Sequence, residues 1–178
     1  MLNYLKELSM GRSGWLLLTV SCTLLEASAL YFQHGMGLNP CVMCIYERLA
    51  LFAILFAGII GMIAPRNFLF RWLALALGLF GSIKGLLLAI KHTDYQLNPA
   101  PWNQCSPFLD FPQTLPLNEW FPYLFEATGD CSKITWKFLE LSMPQWLIAI
   151  FAVYVVIFIF ITLSQFKRSR KANRLLFS

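Results

Sequence analysis

The chain has 178 residues, the size of one domain, with 58% apolar, 16% aromatic and only 13% charged side chains. So few charges, about half the usual share of about 25%, cannot cover a soluble surface. Aromatics this abundant exclude intrinsic disorder, which leaves an integral membrane protein. The formal charge of +5 does not indicate nucleic acid, because five of the fourteen Lys and Arg residues lie between Lys167 and Arg174. A basic tail beside an apolar segment is partnered by the lipid bilayer, at head groups on the cytoplasmic side.

Crossing about 30 Å of hydrocarbon takes roughly 20 apolar residues in a helix. Four stretches qualify: about Trp15–Phe32, Ile45–Ala64, Trp72–Ile90 and Trp146–Leu163. They predict an all-α membrane protein, one integral membrane domain over residues 1–178 built as a bundle of four transmembrane helices. Lys6 and Arg12 ahead of the first stretch, with Ala27-Ser28-Ala29 inside it, resemble a cleavable signal. Glu26 beside the small residues and the apolar run through Tyr31 and Phe32 favour a retained span. No internal repeat suggests an inverted-repeat transporter.

Cations set the expected orientation. Lys6, Arg12, Arg66, Arg71 and the five of the C-terminal tail fall on one side. The other side has none in residues 33–44, and Lys91, Lys133 and Lys137 against six acidic residues in 91–145. Both termini are expected in the cytoplasm, with the two loops facing outward. The longer loop holds seven of the nine prolines and should be mostly irregular. Leu117–Phe125, with Leu117, Trp120, Phe121 and Leu124 at helical spacing, reads equally as a short interfacial helix or as a loop with scattered aromatics.

Of the five cysteines, Cys22 falls inside the first span and reads as a small hydrophobe. Cys41, Cys44, Cys105 and Cys131 all fall outward, two per loop, which suggests disulfides in an oxidising compartment. Four cysteines allow three pairings, and sequence alone does not choose among them. Spacing favours Cys41 with Cys44, which leaves Cys105 with Cys131. A structural brace suits the second pair, whose loop would contribute roughly 3 kcal/mol. It suits the first poorly, because closing so small a loop removes little chain entropy.

Cys41-Val42-Met43-Cys44 is a C-x-x-C unit just before a helix, where thiolates are favoured and reactive. Structural zinc would want four ligands, commonly two such knuckles, so no metal is expected. Arg48, four residues after Cys44, shares its helical face near the outer membrane boundary. It reads as a donor to the Cys44 thiolate and to an oxyanion developing on an acceptor, rather than as a snorkelling residue or a partner of Glu47. His92 lies near the same interface, within reach of such an acceptor. Glu26 and Lys84 lie within spans, and pairing with each other is the plain expectation.

Four spans, the run Pro40-Cys41-Val42-Met43-Cys44-Ile45-Tyr46-Glu47-Arg48 and the Cys105/Cys131 pair together resemble the DsbB family, quinone-dependent disulfide-bond formation proteins of the bacterial inner membrane. Gly129-Asp130-Cys131 and Met143-Pro144-Gln145-Trp146 extend the resemblance from the first span to the last. It implies a protein-dithiol:quinone oxidoreductase of a Gram-negative inner membrane, with its catalytic loops in the periplasm. A reduced DsbA-type oxidant of thioredoxin fold would attack Cys105 and displace Cys131. Cys131 would attack Cys41, and the freed Cys44 would donate to ubiquinone, or menaquinone, held near Arg48 and His92. Asn98–Cys105, with Pro99 and Pro101, is read as an extended segment suited to the partner's groove.

A DsbA-type couple near about −120 mV is too oxidising for glutathione to reoxidise, so the acceptor must be a stronger oxidant. A lipid-soluble quinone meets that need in a membrane, and no nucleotide-binding fingerprint offers flavin or nicotinamide instead. Three alternatives differ in what they require. A reductase carrying electrons outward needs a cysteine pair within the spans or facing inward, where only Cys22 lies. A disulfide-braced scaffold makes Cys41 and Cys44 dispensable. A vitamin K epoxide reductase-like enzyme shares the four-span, C-x-x-C logic.

Overall fold

The computed structural model describes residues 2–106 and 120–166. Among them the chain forms α1 (Leu2–Met10), α2 (Arg12–Leu30), a π-helical turn (Tyr31–Gly35), α3 (Val42–Ile63) and α4 (Phe68–Leu97). A single turn α5 (Pro122–Phe125), a two-stranded hairpin β1 (Lys137–Phe138) and β2 (Leu141–Ser142), and α6 (Met143–Phe166) follow. Arg12–Gly35, Val42–Ile63, Phe68–Leu97 and Met143–Phe166 are long and apolar enough to cross a membrane.

These helices overrun the apolar stretches read from the sequence. Hydropathy marks where side chains leave hydrocarbon, whereas the backbone ladder runs on until something breaks it. α4 therefore continues past Ile90 to Leu97 and stops at Asn98, because the residue before Pro99 is pushed out of the helical region. Its start is fixed by Asn67, whose side chain accepts from Leu69 N at 2.9 Å. α2 ends in a π turn that places Gln33 and His34, and Gly37 turns the chain at φ +65°. Residues 2–10, expected only as a basic flank, form α1. Residues 117–119 lie outside the described residues, so of the expected interfacial piece only α5 is seen.

α3 packs against α2 and α4, and α4 against α6. The buried core runs along these contacts through Trp15, Ile54, Leu75, Phe151 and Phe158. Gly78 and Gly85, two turns apart on one face of α4, receive the rings of Phe158 and Phe151, which a Cβ at either glycine would overlap. Leu17, Phe56, Leu87, Val153 and Phe160 are exposed, as lipid-facing positions must be. A cleft of about 970 Å³ separates α2 from α6 and is floored by α1.

Gln165 Nε2 donates to Ser9 Oγ at 3.0 Å, so the start of the chain and the end of α6 share one end of the bundle. Thr128 N and Gly129 N donate to Pro40 O at 3.1 and 2.9 Å, so both cysteine-bearing loops share the other. Gly78→Leu should lower the stability of the detergent-solubilised chain by about 1–3 kcal/mol through overpacking against Phe158. Thermal unfolding checks this, and adding Phe158→Ala should recover part of the loss.

Candidate functional site

Cys41 is the N-cap of α3, in extended conformation at φ −86° and ψ 169°, and its sulfur accepts from Cys44 N at 3.3 Å. It thereby satisfies one of the free N–H groups of the helix start. The Cys41 and Cys44 sulfurs lie 2.8 Å apart and are not joined. Cys105 and Cys131 are joined, with Cα atoms 6.2 Å apart.

The second loop is docked onto the first by backbone. Besides the two hydrogen bonds to Pro40 O, Cys41 and Gly129 form a parallel bridge. Gly129 lies so close to the Asn39 carbonyl that a Cβ would overlap it. Cys41, Met43, Tyr95 and Cys131 consequently form one buried cluster, with Cys44 and Cys105 packed at its edge. The four cysteines expected from the sequence are thus brought together. The Ser132 backbone N–H, and then its hydroxyl, hold the Asp130 carboxyl below the ordinary carboxylate range, with Lys133 at 3.8 Å.

Arg48 is buried among three partners that sequence spacing did not connect. Its Nη1 donates to Gln33 Oε1 at 2.9 Å and to the Leu124 carbonyl, while its Nε faces Glu26 Oε2 at 3.6 Å. The expected Glu26–Lys84 pairing is therefore corrected: Glu26 turns to Arg48, and Lys84 lies over the Phe80 ring at 5.9 Å. A charge inside the bundle finds its partner across helices, which a one-dimensional reading cannot rank. His34 stacks on Tyr123 at 3.8 Å between ring centres, fastening the π turn to α5.

His92, 2% exposed, sits with Cys41. Its Nδ1 lies 2.9 Å from Glu47 Oε1 and its Nε2 3.5 Å from Cys41 Sγ. Glu47, 1% exposed, thus belongs to His92 and not to Arg48. Glu47 and Gln33 are site residues that sequence reasoning missed. A carboxylate in an apolar helix, three residues after Cys44, is the available signal for the first. Cys22 is buried, 3.6 Å from the Tyr154 hydroxyl, which also contacts Ser21 Oγ at 2.9 Å.

Asn98–Cys105 is not extended throughout. Asn103 N donates to Ala100 O at 2.9 Å, and the Asn103 side chain holds Asp94 Oδ2 at 3.1 Å and Asn98 O at 3.0 Å. The two prolines set a turn that these bonds close, leaving Trp102 88% exposed near Cys105.

Two cysteine pairs brought together at one end of a helical membrane bundle, one of them joined as a disulfide, define a membrane thiol–disulfide oxidoreductase. The model of the family "Disulfide bond formation protein DsbB" matches residues 11–161. The chain is 62% identical over 177 residues to disulfide bond formation protein B of Histophilus somni (strain 129Pt), covering 99% of each. It is 59% identical over 177 residues to that of Mannheimia succiniciproducens, covering 99% of each. With the Haemophilus influenzae protein (strain Rd) it shares 51% over 175 residues, 98% of this chain and 99% of that one. The chain belongs to the DsbB family. It is accordingly a membrane thiol oxidase, a quinone-dependent generator of disulfide bonds.

The donor set fits a quinone. Cys44 is partly exposed between apolar helices, and one turn on along α3 the Arg48 guanidinium supplies a cation for an acceptor oxygen. The close approach at Gly129 can be tested directly. In a Cys44→Ser/Cys105→Ser background, Gly129→Val should slow formation of the Cys41–Cys131 disulfide roughly tenfold, equivalent to about 1.4 kcal/mol of overpacking. Non-reducing gels follow the rate, and the unfolding midpoint of the bundle should stay unchanged.

Proposed function

We propose that the chain reoxidises a DsbA-type dithiol oxidant in the periplasm and passes its two electrons through Cys105–Cys131 and Cys41–Cys44 to ubiquinone. In this reading both termini are cytoplasmic, both cysteine loops are periplasmic, and the spans cross the inner membrane. The observation that carries it is the docking of the Cys131 loop on Pro40 and Cys41, which puts the two pairs within one buried cluster.

A partner thiolate attacks Cys105 Sγ, forming a mixed disulfide and expelling Cys131 as a thiolate. Cys131 then attacks Cys41 of an oxidised Cys41–Cys44 pair, forming Cys41–Cys131 and releasing Cys44 as a thiolate. The partner's second thiolate attacks the mixed disulfide, and the partner leaves oxidised with Cys105 freed. Cys105 attacks Cys131, restoring the outer disulfide and releasing Cys41. The sum moves two electrons and two protons from the partner to Cys41 and Cys44. Ubiquinone bound beside Cys44 and Arg48 supplies the two-electron acceptor that reoxidises the inner pair. Arg48 orients the acceptor and favours negative charge near Cys44, and His92 meets the proton of Cys41.

The partner is received on Asn98–Cys105, where the exposed Trp102, three residues before Cys105, offers a rigid apolar anchor. Trp102→Ala should raise KM for the reduced donor by roughly fivefold, equivalent to about 1 kcal/mol, with kcat unchanged.

Quinone reduction by the full chain in detergent, with reduced DsbA-type protein as donor, tests the whole route. Turnover should vanish in Cys44→Ser, and Arg48→Ala should raise KM for the quinone. Ubiquinone and menaquinone are each supplied as the acceptor. A folded wild-type chain that turns over neither quinone would overturn the route and favour a disulfide-braced scaffold.

A further inference from the structure

Cys41, Cys44 and His92 each offer one ligand atom, and the three atoms lie within 4.8 Å of one another. The C-x-x-C spacing supplies two ligands here, and the fold adds a third, 51 residues from Cys41 in sequence. We propose that, when Cys41 and Cys44 are both thiols, these residues form a binding site for a thiophilic d10 cation, Zn²⁺ or Cd²⁺, with Glu47 orienting His92. The inference rests on geometry alone and stands whether or not the oxidase route holds.

Four observations carry it. With Zn–S near about 2.3 Å and Zn–N near about 2.0–2.1 Å, tetrahedral binding sets a sulfur–nitrogen separation of about 3.6 Å and a sulfur–sulfur separation of about 3.8 Å. Cys41 Sγ and His92 Nε2 already stand at 3.5 Å, while the sulfurs, at 2.8 Å, must part by roughly 1 Å. Cys44 is the half-buried member of the pair and borders the small cavity beside His92. Second, His92 Nδ1 is held by Glu47 at 2.9 Å, which directs the Nε2 lone pair at the sulfurs. A carboxylate behind a ligating histidine is the arrangement that fixes its tautomer and raises its basicity.

Third, a cavity of about 40 Å³ opens beside the three atoms. A water needs about 10–15 Å³ of such space, so the cavity admits an ion and one water. Fourth, Gln96 lines this cavity, and its Oε1 is buried with no hydrogen-bond partner among the described residues. It can accept from a water that completes the tetrahedron. Binding releases two thiol protons and transfers no electrons. Two thiolates and a divalent cation are neutral together, the form a buried site tolerates. A cation so held keeps both sulfurs from electron transfer, and oxidation of the pair abolishes the site.

The test uses the full chain in detergent as a Cys105→Ser/Cys131→Ser variant, which leaves the inner pair as the only outward thiols. Zn²⁺ is titrated against a chromophoric chelator, and Cd²⁺ is followed by thiolate-to-metal absorption. The reduced protein should bind one ion per chain, and the same protein with Cys41 and Cys44 oxidised should bind none, a comparison that needs no further mutation. Glu47→Gln should weaken Zn²⁺ by about 10–100-fold, and His92→Ala by more. Binding that survives oxidation of the pair, or is unchanged in His92→Ala, would overturn the proposal, as would failure of the folded, reduced chain to bind either ion.

Discussion

A guanidinium cannot stay buried among apolar helices unless its charge is met and its N–H groups are taken up. Arg48 imposes that requirement on the outward end of this bundle. Glu26 answers it from α2, Gln33 from the π turn that ends the same helix, and the Leu124 carbonyl from α5 in the distant loop. Removing one member of such a buried pair costs about 3–5 kcal/mol, because the other charge is left without a partner. Arg48 therefore fixes where α2 ends and where the long loop comes down. The reactive cysteines are built on that frame.

A second, separate polar system lies beside it on the same helix. Glu47 and Arg48 are neighbours in sequence, yet one turns to His92 on α4 and the other to α2. The split keeps the carboxylate from cancelling the guanidinium. Cys41 then faces a histidine with a carboxylate behind it, whereas Cys44 lies one turn from a cation. Two cysteines three residues apart are thus given different surroundings, the asymmetry that the proposed route uses when it has one attacked and the other depart.

Much of this is legible in the sequence, for reasons that particular residues make plain. Four apolar stretches are visible because lipid demands them, and the C-x-x-C unit is visible because its chemistry is local. Helix ends are not legible from hydropathy: α4 runs on through Lys91, His92 and Thr93 because no breaker precedes Pro99. Glu26 stands out as a charge within a span, but its partner does not, since distance across helices is unwritten in spacing. The prolines of Asn98–Cys105 favour an extended segment, and Asn103 overrules them by bonding back to Asp94 and Asn98. The role of Glu47 is hidden because it depends on His92, which only the packing of α3 against α4 brings near.

The length of α4 has a mechanical consequence. Its 30 residues span about 45 Å, against about 30 Å of hydrocarbon. The surplus acts as a post that carries His92 and Tyr95 up to the level of Cys41 and Cys131. The height of the cysteine cluster along the bundle is thus set by one rigid rod rather than by the loops. In a thicker bilayer the rod must stand more upright, and in a thinner one it must lean. Because α3 packs against α4, the two lean together, and the spacing of His92 and Cys41 is kept whatever the thickness.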